Sequence, residues 1–220
     1  MSNILITGSR HGLGAELHKA LYNSGHDIIP YDKEDRMDVR RPRALPEQLD
    51  VLINNAGVND IDWLENFSEE RWDEIMNTNA KGIFLMTKAC MPMLKESKGT
   101  VVNIVSNAAH VPMTCSLAYN ASKAAAHIMT KQLARELRGK VTVFGVAPNR
   151  MSGTDMSSNI DEQVVDTRGW THEEARKYQL ASLLAGAETP PSMVADFIAY
   201  LLSTKSRHQY LTGCVLPYGA

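Results

Sequence analysis

The chain has 220 residues, 44% of them hydrophobic and 22% charged, with a formal net charge of -2. That length fits one large α/β domain with a substantial core, and the near-neutral charge gives no electrostatic footprint for nucleic acid. Cys90, Cys115 and Cys214 stand far apart in no metal-ligand spacing, so reduced thiols in a soluble cytoplasmic protein are expected, with no metal site and no disulfide framework.

Short β-branched runs alternate with longer helical patterns along the whole chain. This predicts an α/β fold: a Rossmann-like, doubly wound parallel sheet in a single domain over residues 1–220. The first strand is read at Asn3–Thr7, so no removable leader is expected ahead of it. Gly8, Ser9, Arg10, His11, Gly12, Leu13 and Gly14 follow, opening a helix over 12–24. Glycines are needed in such a turn because the backbone must bend sharply and approach a pyrophosphate without a Cβ in the way. The helix N-terminus then presents free N–H groups and a partial positive charge to the phosphates.

The second strand, Asp27–Tyr31, leads to Asp32. An acidic side chain there accepts from the adenosine ribose hydroxyls and repels a 2′-phosphate, so NAD is expected over NADP. Lys33 and Arg10 are nearby cations that oppose this, and the polar run Asp32-Lys33-Glu34-Asp35 also reads as an ordinary turn. Asp38 follows so soon after Asp32 that no crossover helix fits between them. The segment between the second and third strands is therefore shortened, and the third strand is expected to be vestigial or reached by an extended connection.

Further strands are read at 51–54, 100–105, 141–147 and 212–216, and helices at 68–95, 117–137 and 192–202, with Pro92 expected to end or kink the first of these. The hydrophobic runs stay well short of the roughly 18 residues that span a membrane. Residues 148–187 break the rhythm, with a helical piece near 172–184. A connection of that length is usually functional, and a substrate-covering lid is expected.

A Tyr-x-x-x-Lys pair means little alone, but its context here is specific. Thr7-Gly8-x-x-x-Gly12-x-Gly14, Asn54-Asn55-Ala56-Gly57, Asn77-Thr78-Asn79-Ala80, Ser106 and Tyr119-Asn120-Ala121-Ser122-Lys123 occur in this order. Together they resemble the classical short-chain dehydrogenase/reductase (SDR) family over nearly the whole chain. The resemblance implies a catalytic tetrad of Asn79, Ser106, Tyr119 and Lys123. It also implies adenine contacts from Asp38 and Val39, backing of the ribose by Asn55, Ala56 and Gly57, and Pro148 and Thr154 over the nicotinamide. Asn149 stands where the family has glycine, and Leu216-Pro217-Tyr218-Gly219-Ala220 lacks the common Asp-Gly-Gly ending.

The chemistry agrees with that tetrad. Tyr119 and Lys123 are spaced i, i+4 on one helix face. Bringing a phenol from about 10 to neutrality takes about 4 kcal/mol, which a cation about 4 Å away supplies at an effective dielectric near 20. The expected function is an NAD(P)-dependent oxidoreductase moving hydride between nicotinamide and a small alcohol or carbonyl substrate, with Tyr119 as general acid and base. The rival readings are a dinucleotide-sensing or scaffold protein without turnover, and a nucleotide-sugar reductase or epimerase on the same fold. The resemblance further implies pairing of the helices at 68–95 and 117–137 across a two-fold axis in a homodimer or homotetramer. Ile83, Phe84 and Met86 on one helix and Ile128, Met129 and Leu133 on the other are the apolar residues expected there.

Overall fold

Strands buried on both faces should read as continuous β-branched and aliphatic runs rather than alternating ones, and four of the six here do. In the computed structural model, which describes residues 1–204 and 208–219, β1 (Asn3–Thr7), β2 (Asp27–Tyr31), β3 (Val51–Asn54), β4 (Thr100–Ile104), β5 (Thr142–Pro148) and β6 (Val215–Tyr218) form one sheet in the order β2-β1-β3-β4-β5-β6. Every pairing is parallel.

Successive side chains split between the two faces. Ile4, Ile6, Val51, Ile53, Val102, Ile104, Phe144 and Val146 pack against α1 (Gly12–Asn23) and α7 (Pro191–Leu202). Leu5, Leu52, Val101 and Val143 face the other way, onto α3 (Gly82–Glu96) and the end of α4 (Leu117–Glu136). Four buried polar side chains cross this second face. Asn54 donates to Thr87 at 3.2 Å and to Asn103 at 2.9 Å, and Asn103 donates to Thr130 at 2.9 Å. A fully bonded chain of this kind ties β3, β4, α3 and α4 into one register.

The doubly wound single-sheet architecture is as expected, and three local expectations are corrected. The helix expected over 68–95 is divided into α2 (Glu69–Met76) and α3 by a π-turn at Asn77–Lys81. Gly82 follows the turn, where an added Cβ would lie 2.8 Å from Val39 Cγ2, so the helix presses directly on the segment after β2. Pro92 does not end α3, which continues to Glu96; the residue four back, where proline forfeits the bond, is the exposed Lys88. The last strand begins at Val215, because Gly213 is left-handed at φ +82 and Thr212 turns its hydroxyl to the Val143 N–H at 3.2 Å. Ala220 lies outside the described residues.

The connection from β2 to β3 holds no α-helix. A single 3-10 turn, Lys33–Asp35, is followed by irregular chain to Val51, and among the described residues no strand forms at Asp38. By contrast, the 148–187 segment is more ordered than expected. It contains α5 (Asp155–Arg168), which the sequence pattern does not announce, and α6 (His172–Ala181), which ends before residue 184. Thr154 and Thr171 each open their helix with a reciprocal capping box. Among the described residues no helix is long and apolar enough to cross a membrane.

Candidate active site

The carboxyl ends of parallel strands are where a sheet of this topology leaves a crevice, and a cavity of about 450 Å³ lies there. Gly8, His11, Gly12 and Leu13 line it from the first turn, Asp32, Asp38 and Val39 from the segment after β2, and Asn55, Ala56 and Gly57 from the end of β3. Ser106, Tyr119, Lys123, Pro148 and Thr154 line it as well. The structure thus gathers most of the residues singled out in the sequence.

Three turn residues stand behind the wall instead. Gly14 is a packing residue: a Cβ there would fall 1.8 Å from the Gly8 carbonyl oxygen. Arg10 faces outward in an ion pair with Asp35. Ser9 is buried, and its hydroxyl has no hydrogen-bond partner among the described residues.

The turn fits a pyrophosphate. Gly8 is left-handed at φ +64, and a Cβ on it would lie 2.9 Å from Ala56 Cα. The α1 N-cap, His11, makes no capping hydrogen bond, and no acidic residue occupies the first turn. The first N–H groups of α1 and its positive end are therefore left for an anion. His11 spends its ring on the rim: Nε2 is 2.7 Å from Glu34 and Nδ1 is 3.7 Å from Asp155. The hydrogen bond to Glu34 is the main influence raising its pKa.

Charges at the far end of the cavity are largely paired with one another. Asp32 is buried and accepts from the backbone N–H of Arg10 at 3.1 Å and of Glu34 at 3.2 Å. It lines the cavity and also caps its own 3-10 turn. Asp38 is gripped by Arg40, whose guanidinium holds the carboxyl below its ordinary range. Lys33 also lines this end.

At the other end, Lys123 is buried and donates to the Ile104 carbonyl at 3.0 Å, with its Nζ 5.6 Å from the Tyr119 ring centroid. Burial brings the Lys123 ammonium down to about 8. Burial, the larger influence on Tyr119, pushes the phenol above its ordinary value, and a hydrogen bond with Ser106 pulls the other way. The net displacement of Tyr119 in the protein alone is therefore upward, opposite to the drop expected from Lys123, because desolvation of the phenolate outweighs its neighbours. Ser106, two residues beyond β4, caps the 3-10 turn Asn107–Ala109 and accepts from the Ala108 N–H at 3.1 Å.

Asn79 does not reach the cavity wall. From within the π-turn its carboxamide accepts from the Val58 N–H at 2.8 Å, and donates to the Val58 carbonyl at 2.8 Å and to Ser122 at 3.0 Å. Gly57 lies between it and the ammonium: a Cβ there would be 3.4 Å from Asn79 Oδ1 and 3.7 Å from Lys123 Nζ. π-turns of this kind recur at functional sites.

Several cavity residues carry no signal in the motifs: Val58, Asn59, Met151 and Asn159. Only the spacing of Asn159 behind Met156 on a helix could point to it, and that helix is itself hidden in the sequence. Of the apolar residues expected to face a second subunit, Ile83 and Met86 are instead core, at 4% and 0% exposure. Phe84 and Ile128 are exposed, and Met129 and Leu133 are half-buried.

Comparison with known proteins agrees with this geometry. The short chain dehydrogenase family matches residues 39–165. A 3-oxoacyl-[acyl-carrier-protein] reductase FabG of Thermotoga maritima is 34% identical over 77% of the chain, which spans 64% of that reductase, just under two thirds of its length. The "inactive 2-(S)-hydroxypropyl-CoM dehydrogenase 2" of Xanthobacter autotrophicus is 33% identical over 91% of the chain and 84% of its own length. Among solved structures, a single-residue variant of actinorhodin polyketide ketoreductase with NADPH superposes with a TM-score of 0.87 at 27% identity, over 98% of this chain and 95% of that one.

Proposed function

The chain belongs to the short-chain dehydrogenase family, and from that premise we propose that it transfers a hydride between a nicotinamide cofactor and the reacting carbon of a small alcohol or carbonyl compound. The observation that carries this reading is the convergence of Ser106, Tyr119 and Lys123 on the cavity that the glycine turn also lines. A bound nicotinamide supplies or accepts the hydride.

The chain's own residues do the rest. Gly8, Gly12 and the open N-terminus of α1 hold the pyrophosphate. Ser106 orients the substrate oxygen against Tyr119, which takes the hydroxyl proton in oxidation and returns it in reduction. Lys123, anchored on the Ile104 carbonyl, steadies the phenolate and passes the proton on in the direction of Asn79. Because burial alone raises Tyr119, the positive charge of an oxidised cofactor is the further influence that favours phenolate at neutral pH.

An inactive relative at 33% identity keeps the sensing or scaffold reading in play, and the complete tetrad argues against it. Release of reduced cofactor with simple alcohols, lost in Tyr119→Phe, supports the enzyme reading; retained cofactor without turnover of any alcohol or carbonyl supports the other.

We propose NAD as the preferred cofactor, although one similar structure holds NADPH. Arg10, Arg40 and His11 already face Asp35, Asp38 and Glu34, so a 2′-phosphate would meet paired cations and the Asp32 carboxylate, with Lys33 as the main opposing charge. We also propose a homodimer or homotetramer, now resting on exposed Phe84 and Ile128. Light scattering should report a multimer that Ile128→Glu weakens; a concentration-independent monomer refutes it.

A further inference from the structure

The inner stripe of α5 lies along the segment after β3, and the contacts between them form rungs. Trp63 Nε1 donates to the Thr167 carbonyl at 2.9 Å. One turn back, Gln163 Nε2 donates to Asp60 at 2.7 Å, and Gln163 Oε1 accepts from the Ile61 N–H at 3.3 Å. Another turn back on the same helix face stands Asn159. Here the ladder stops, because Asn159 and Asn59 both line the catalytic cavity. Asn59 Oδ1 is buried and has no hydrogen-bond partner among the described residues. A buried amide oxygen left this way is costly and calls for a partner, an ordered water or a group of a bound molecule.

The surrounding wall limits what that is. Val58, Met151 and Met156 are apolar. The Asn149 carboxamide is already committed, donating to the Gly219 carbonyl at 3.1 Å and accepting from the Arg150 N–H at 2.9 Å. Asp155, the acidic residue on this part of α5, faces His11. Two neutral carboxamides thus remain as the polar capacity of this corner. A carboxylate would find no cation there, and an alkyl or thioester arm would leave Asn59 unpaired. A hydroxyl both donates and accepts, so it satisfies a carboxamide in either orientation.

Resting on the oxidoreductase reading above, we propose that Asn59 and Asn159 determine specificity by binding a hydroxyl beside the reacting carbon, so that the substrate is a vicinal diol or the corresponding α-hydroxy ketone. In oxidation one carbinol carbon gives its hydride to the nicotinamide and its hydroxyl proton to Tyr119. The neighbouring hydroxyl keeps its proton and bridges the two amides.

The test compares kcat/KM of the full chain for butane-2,3-diol and butan-2-ol, with whichever nicotinamide cofactor the protein uses better. At least a tenfold advantage for the diol is expected, from the penalty a hydrogen-bonding site imposes on an analogue lacking the group. In Asn59→Ala, and separately in Asn159→Ala at the cavity mouth, the ratio should fall to within about threefold of unity. A purely structural role for either residue would lower both rates and leave the ratio intact. Equal kcat/KM for the two alcohols, turnover of neither, or a ratio that both variants preserve overturns the proposal. Reduction of butane-2,3-dione by the wild-type protein, abolished in Tyr119→Phe, separates the cases. If the dione is reduced and the diol has no advantage, only this inference falls; if no compound changes the nicotinamide absorbance, the oxidoreductase reading falls as well.

Discussion

The two ends of the cavity are built in opposite ways. At the end proposed to be catalytic, backbone groups hold the polar side chains: Lys123 on the Ile104 carbonyl, Ser106 on the Ala108 N–H, Asn79 on both polar groups of Val58. At the end proposed to take the adenosine, a 3-10 turn and irregular chain carry charges that hold one another, as in Arg10 with Asp35 and Arg40 with Asp38. Backbone anchors are fixed by the fold, whereas exposed ion pairs contribute little and are screened by salt. Chemistry should therefore be sensitive to single changes at the first end, and cofactor choice adjustable at the second.

The sharpest way to break this contrast is Tyr119→Phe. Turnover should fall by about 10²–10⁴, while cofactor affinity, followed by fluorescence titration, stays within a few-fold of wild type. Next comes the buried ammonium. With a folded pKa of about 8 against an ordinary 10.5, Lys123 binds its proton less tightly folded than unfolded. Below pH 8 both states are charged and the cost of burying the charge is fully present. Between about pH 8 and 10.5 the unfolded state holds more protons, so stability should rise with pH. Relative to Lys123→Met, which has no proton to lose, wild type should gain up to about 3 kcal/mol across that window. Paired melts at pH 8 and pH 10 read this directly, and parallel curves would show that the amine is not desolvated.

The adenosine end should answer more weakly. Wild type should favour NAD over NADP by about tenfold in kcat/KM, and Asp32→Ala should erode most of that ratio, which is about 1.4 kcal/mol. Equal efficiency of the wild-type protein with both cofactors would show that Lys33 controls the turn. The smallest effect is expected from Arg40→Ala. Its pair with Asp38 is half exposed, with side-chain exposures of 47% and 35%, so stability should change by less than about 1 kcal/mol. A larger loss would mean that the shortened segment depends on this pair, and the contrast between the two ends would fail.

The same contrast explains what could be read from residue order. Parallel strands with two buried faces announce themselves as Ile4-Leu5-Ile6 and Val51-Leu52-Ile53, and the Tyr119–Lys123 spacing is a property of one helix. The π-turn at Asn77–Lys81 leaves no such trace, and the Gly82 that follows it meets Val39 from a distant part of the chain. The α5 helix is hidden by a weakly amphipathic, polar stretch whose burial comes from Val164 packing with Ile61 and Ala175. Ile83 and Met86 read as outward residues because periodicity alone cannot say which apolar stripe meets the sheet. Burial of Tyr119 is likewise illegible, since neighbours along the helix do not reveal how far a phenol is removed from water.

The bare segment after β2 has a consequence for the protein's behaviour at high concentration. With no strand beyond it among the described residues, β2 is the border of the sheet, and a border strand can recruit another chain through its unpaired backbone. Its alternation is fixed by two bonds toward β1, Asp27 N–H to the Ser2 carbonyl and Gly8 N–H to the Tyr31 carbonyl. Residues 27 and 31 therefore face inward, and by the two-residue period Ile28 and Pro30 face out. Proline has no N–H to give, so Ile28 is left as the outward donor of a five-residue strand. Edge-to-edge polymerisation is thus opposed at the place where the truncated crossover exposes the sheet, and Pro30→Val would remove that safeguard with little change to the cavity.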